Sequence, residues 1–155
     1  MTPTGPTTAA RSPRRPRVER PLGGVGRREA RERALLLVYE ASQRGLDAEG
    51  IVADQAVGLD PYTDGLIRGV ERHGEAINAV IGRLSREWPL ERMPAIDRAI
   101  LRIGVYELGH EPEVPTAVVL NEAVELANSY STDDSGRFVN GVLAAAAAEL
   151  RPPAA

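Results

Sequence analysis

The sequence predicts an all-α domain, and three observations predict it. First, residues 95–110, AIDRAILRIGVYELGH, wound as a helix, carry apolar side chains around most of the circumference. Ile96, Ile100 and Ile103 line one side and Leu101, Val105 and Leu108 another, so this helix belongs inside, with other helices on several sides. Second, apolar runs with helical spacing recur before and after it, each bounded by proline, glycine or capping side chains. Third, no segment sustains the period-two alternation of a half-buried strand, so no sheet is expected.

The elements follow in order. Residues 1–25 are rich in Thr, Pro, Gly and Arg, with prolines at 3, 6, 13, 16 and 21, and are expected to be a disordered basic arm. They lack the apolar centre of a signal peptide. Residues 27–43 predict the first helix, with Ala34, Leu37, Val38 and Ala41 as its core stripe. Its first turns hold Arg27, Arg28, Arg31 and Arg33, charges that work against the helix dipole. Either they have another use, or they form a solvated face offset by Glu29 and Glu32. Residues 47–57 predict a short, weakly amphipathic helix with Ile51, Val52 and Ala56 for contact. Asp60-Pro61 reads as an N-cap and first-position proline. One helix then runs to about Ser85 through Leu66, Val70, His73, Ile77, Val80, Ile81 and Leu84, with His73 a core or edge residue of that stripe.

Trp88-Pro89 closes this helix, with Trp88 plugging one end of the core, and Met93-Pro94 opens the central one. Its remaining polar strip is Arg98 and Arg102, four residues apart on one face. Gly109 and the prolines at 112 and 115 end it. Residues 116–130 predict the next helix, with Val119, Ala123, Leu126, Ala127 and Tyr130 inward. The last helix follows the capping cluster at 131–135, in which Asp133 and Asp134 read as caps. Phe138, Val139, Val142 and Leu143 form its core pairs, alanines 144–148 extend it, and Arg151-Pro152-Pro153 stops it. The expected organisation is an arm over 1–25, a helical domain over 26–151 and a tail over 152–155.

Composition narrows the function. There is no cysteine, which removes disulfides and thiolate chemistry, and His73 and His110 lie on separate elements, so no zinc site of the usual spacing arises. No apolar run approaches the roughly 20 residues of a membrane span. No GxSxG elbow, HExxH helix or phosphate loop is present; Gly104 and Gly109 fall in or at the end of a helix. No catalytic residue, metal or cofactor is expected, and the chain reads as a binding protein. All 19 basic residues are arginine, a skew that, with the abundant alanine, points to a GC-rich bacterial coding sequence. Residues 1–34 hold nine arginines against three glutamates, net +6, and the remainder carries −9. A basic opening on an acidic body is the electrostatics of a polyanion-binding face or of a solubilising tail.

The residues can now be quoted together. RREARER (27–33) leads a helix reaching Val38-Tyr39; the central helix is followed by Val114-Pro115, then by NEAVELA (121–127) and DDSGRFVNGVL (133–143). This order and spacing resembles the NusB family of transcription antitermination factors over about 27–151, most specifically in FVNGVL after DDS. The resemblance implies an all-α fold of two packed helical bundles, in the bacterial cytoplasm. It implies a heterodimer with NusE, a small-subunit ribosomal protein, that binds single-stranded boxA RNA of ribosomal RNA leaders and joins the RNA polymerase elongation complex. Carried over by position, Arg27, Arg28 and Arg31 match the basic RNA-contacting motif. Phe138 would stack on a base, Arg137 would meet phosphate, and Asp134 would be an acid beside the RNA path. Asp97 matches a partner-facing acid, with Tyr39 and Arg98 grouped with it and Arg102 with the RNA set. Glu29 departs by interrupting the arginine run, and the arm before 25 is extra. Two alternatives stand on the residues: Arg98 and Arg102 as a structural charge network, and Phe138 as a core residue beside Val142. Two rival functions also stand: a relative of the NusB-like domain that precedes some ribosomal RNA cytosine methyltransferases, for whose cofactor domain 155 residues leave no room, and a helical DNA-binding regulator.

Overall fold

In the computed structural model, residues 25–153 are described apart from Glu87. The arm expected over 1–25 lies outside the described residues except for Val25, which opens the first helix, and Ala154 and Ala155 of the tail also lie outside. The described chain forms seven α-helices and no strand. They are α1 (Val25–Arg44), α2 (Ala48–Ala53), α3 (Pro61–Arg72), α4 (Gly74–Leu84), α5 (Ala95–His110), α6 (Thr116–Tyr130) and α7 (Asp133–Leu150), with a 3-10 turn (Leu90–Arg92) before α5.

The helix starts follow from short polar side chains. Asp47 accepts from the Gly50 N–H at 2.7 Å and Asp60 from the Thr63 N–H at 3.0 Å, with Pro61 next in line. At α7 the cap is Thr132, whose Oγ1 accepts from the Ser135 N–H; Asp133 and Asp134, expected as caps, fill the first turn instead, where carboxylates favour the dipole. Gly45 ends α1 with φ +64°, a conformation that glycine adopts without steric cost.

Two predicted elements differ. The helix expected over 61–85 is two helices, because His73 leaves helical geometry (φ −103°, ψ 17°). Its ring stacks on His110 with centroids 3.8 Å apart. The stripe survives the break, since Leu66 and Val70 of α3 and Ile77 and Ile81 of α4 are all buried. The helix expected over 47–57 stops at Ala53, and Val57 is left exposed.

α5 is the hub. Ala99, Ile100, Leu101, Ile103, Val105 and Leu108 are all buried, and α5 packs against α1, α3, α4, α6 and α7. α1, α2 and α3 form one bundle against it and α4, α6 and α7 another. Gly104 is a close approach to α7: a Cβ there would lie 2.8 Å from the Leu143 methyl carbons. Beyond α7, Arg151 donates to the backbone carbonyls of Glu107, Leu108, Glu111 and Val114, supplying partners at the C-terminal end of α5. No helix among the described residues is long and apolar enough to cross a membrane.

Candidate nucleic-acid interface

The first-helix arginines split by helical phase. Arg27 and Arg31 are one turn apart and continue the stripe of Ala34 and Val38, so both turn inward. Arg31 is 4% exposed and meets Glu107 through two hydrogen bonds of 2.8 Å, Nε to Oε1 and Nη2 to Oε2. Tyr62 donates its hydroxyl to the same carboxylate at 2.7 Å. Burial disfavours the Arg31 charge, but the hydrogen bonds and charge of Glu107 more than offset it and hold the guanidinium above its ordinary value. Burial first, then the Glu107 charge, holds the Tyr62 phenol well above its usual range. Arg27 lies over the Tyr62 ring, 4.7 Å from the centroid, and near Glu113 at 3.9 Å. The expectation that Arg31 contacts RNA is corrected here, because its guanidinium is spent inside the protein. Arg27 is mostly buried as well, but it makes no hydrogen bond among the described residues and its Nε is buried without a partner.

Arg28, rotated to the other side, is the exposed cation, with 62% of its side chain accessible. It donates to Glu122 of α6 from Nε at 3.1 Å and Nη2 at 3.0 Å. With α6 and α7 it borders an open cleft of about 640 Å³. Arg137 borders the same cleft, and its side chain is 86% accessible. Asn121 and Asn128, seven residues apart on α6, and Asn140 on α7 supply amides between them. Gly136 keeps the floor open, since a Cβ there would lie 2.7 Å from Asn128 Oδ1. Glu125 and Asp133 also line the cleft, and exposed Asp134 stands 3.9 Å from Arg137. The arrangement offers cations for phosphates and amides for base edges, with the acids Glu122, Glu125, Asp133 and Asp134 beside them. The three asparagines were not singled out by sequence reasoning; the seven-residue spacing of Asn121 and Asn128 was the available signal.

The other candidates lie elsewhere. Phe138 is half-buried, and Trp88 meets its ring edge-on with centroids 5.3 Å apart and planes at 69°. Arg102 lines a different pocket and donates from Nε to Asn78 Oδ1 at 3.0 Å. Asp97 is 0% exposed and accepts from Ser135 Oγ at 2.8 Å, tying α5 to the start of α7. A partner-facing role for Asp97 is therefore corrected, since its carboxylate has no path to the surface. Arg98 donates to the Leu90 carbonyl. Tyr39 does reach solvent, in a depression of about 430 Å³ shared with Leu36, Ile96 and Tyr130. Leu36, Tyr39 and Tyr130 are large apolar side chains left exposed together, as a docking patch requires.

Residues 28–148 match the family model described as the NusB family. The chain belongs to the NusB family. A curated relative, the transcription antitermination protein NusB of Kineococcus radiotolerans, is 46% identical over 124 residues, covering 77% of this chain and 91% of that protein. The structure of T. maritima NusB superposes with a TM-score of 0.72 at 31% identity, over 81% of this chain and 93% of that one. A further match is a crystal structure of antitermination factors NusB and NusE in complex with dsRNA, with a TM-score of 0.69, 28% identity, and 79% of this chain and 96% of that chain covered. The all-α fold expected of a NusB-family chain is the fold observed, and the matched span runs from Arg28 at one side of the cleft past Arg137 at the other.

Proposed function

We propose that this NusB-family chain is a transcription antitermination factor without catalytic activity. With a NusE-type ribosomal protein it binds boxA RNA of ribosomal RNA leader transcripts in the bacterial cytoplasm, and the complex modifies RNA polymerase elongation. The observation that carries the proposal is the 46% identity over 124 residues to an antitermination NusB, beside a family match over residues 28–148 that includes the residues of the cleft. In this reading Arg28 and Arg137 neutralise phosphates, and Asn121, Asn128 and Asn140 read base edges. Asp134 tempers the affinity beside Arg137. Phe138 offers the exposed part of its ring to a base while Trp88 holds its edge. Tyr39, with Leu36 and Ile96, receives the ribosomal protein.

The test is a salt titration of RNA binding, with and without NusE. Full-length chain and NusE are expected to bind a single-stranded boxA oligonucleotide with a negative slope of log affinity on log salt. Arg28→Ala and Arg137→Ala should each reduce that slope by about 0.7, the value for one phosphate contact on a single strand. Unchanged slopes in both variants would reject the cleft. Because the related complex contains dsRNA, duplex RNA and duplex DNA serve as competitors; preference for duplex DNA would support a DNA-binding regulator instead.

A further inference from the structure

A second pocket, of about 280 Å³, opens where α1, α2, α3, α4 and α5 meet, and it shares no lining residue with the cleft. Its wall is aliphatic: Val38 and Ala41 come from α1, Leu46 from the turn before α2, and Ile67 and Val70 from α3. Among the described residues no aromatic ring lines it. Its size is that of one or two side chains, below the roughly 300–1,000 Å³ of a drug-sized ligand site.

Arg102 of α5 lines this pocket and is half-buried. Only its Nε is engaged, by Asn78. Among the described residues its two terminal nitrogens have no hydrogen-bond partner, and no carboxylate lies within the 4.0 Å of an ion pair. Glu71, the acid in the lining, accepts from the Ala48 N–H through Oε2 and makes no ion pair with Arg102. Arg98, one turn earlier on α5, adds a like charge and, among the described residues, is engaged by the Leu90 carbonyl alone. Burial first, then Arg98, pushes the Arg102 guanidinium below its ordinary value. An arginine keeps its proton under such pressure, and its terminal nitrogens, which are not buried, stay open to an anion. A planar fork with both terminal nitrogens open fits a carboxylate.

We propose that this pocket docks a segment of a partner protein in which an aliphatic side chain is followed by an acidic residue. The side chain fills the wall formed by Val38, Ile67 and Val70, and the carboxylate bridges the terminal nitrogens of Arg102. Charge selects this occupant. The N-terminal arm carries arginines at 11, 14, 15, 17 and 20 against one acid, Glu19, and has the wrong sign. RNA could offer a phosphate to Arg102, but its bases would find no ring to stack on in an aliphatic wall. The site is independent of the RNA cleft and stands or falls separately from it.

The probe is the blocked tetrapeptide acetyl-Gly-Leu-Asp-Gly-amide, titrated into the full chain and followed by NMR at the Ile67 and Val70 methyls and the Arg102 Nε–H. Saturable shifts at all three are expected. Replacing the peptide's Asp by Asn, or its Leu by Ala, should each weaken binding about tenfold, the loss expected of a charge-assisted hydrogen bond or a buried side chain. Arg102→Gln should erase the preference for Asp over Asn, and Arg102→Lys should keep part of it, with amide spectra confirming that both variants are folded. The proposal is overturned if nothing saturates by about 10 mM, a limit weaker than ordinary millimolar recognition, or if the Asn peptide binds equally well. It is also overturned if hexanoate matches the peptide, if an oligouridylate displaces it from Arg102, or if the same three signals move on concentrating the chain alone, which would make the occupant a small carboxylate, RNA or a second copy.

Discussion

Two arginines three residues apart on α1 meet opposite fates, and the reason is helical phase. Arg28 faces solvent across from Glu122, whereas Arg31 lies on the Ala34 side and is buried against Glu107. A buried ion pair is fragile to the loss of one partner, because the other charge is then stranded. Glu107→Ala should therefore destabilise the fold by about 3–5 kcal/mol, seen as a lower urea midpoint; a loss under about 1 kcal/mol would show that Arg31 finds water or another acid. Arg28→Ala should leave that midpoint nearly unchanged, since solvent screens an exposed pair. His110 makes a pH prediction. Burial, then the neighbouring His73, lowers its folded pKa below the ordinary 6.5. The unfolded chain thus binds the proton more readily, so this contribution to stability is full above about pH 6.5 and is lost as pH falls through the folded value. The urea midpoint should drop on acidification from pH 7 to 5, and His110→Gln should make that drop shallower.

At the scale of elements, what the sequence made legible depended on punctuation. α5 and α6 begin directly after the prolines at 94 and 115, with no side-chain cap at either start, and the predicted ranges coincide with those observed. The His73 break was hidden because α4 restarts in phase with α3, so the burial stripe runs through an interruption that periodicity cannot detect. α2 ended early because Val57, apolar in sequence, has nothing to pack on. For the site, Arg28 and Arg137 were legible as charge, but burial of Asp97 was not. It depends on Ser135, 38 residues away, reaching its carboxylate. Helix spacing offers another test. Gly104 lets α5 and α7 approach until Leu143 covers its Cα, so Gly104→Ala should cost about 1–3 kcal/mol through overpacking, read as a lower Tm. Leu143→Val in the same chain should recover part of the loss by thinning the opposing side chain.

Across the whole molecule, the exposed cations and the exposed apolar patch occupy different surfaces. The cleft draws on α1, α6 and α7, whereas the Tyr39 depression draws on the middle of α1, the start of α5 and the end of α6. Ile96→Glu should accordingly weaken NusE association by tenfold or more, the scale of a central apolar contact, while RNA binding by the chain alone keeps its salt slope; calorimetry and gel-shift titration separate the two. A different consequence follows from how far apart in sequence the paired groups lie. Arg31 precedes Glu107 by 76 residues, which a ribosome adding about 5–20 residues per second takes about 4–15 s to cover. Arg137 comes later still. During synthesis the first helix emerges well before the carboxylate that seats it, and the cleft closes only after the α7 residues up to Asn140 have emerged. A chain released early would carry the arginines but not the groove that gives them a shape to recognise.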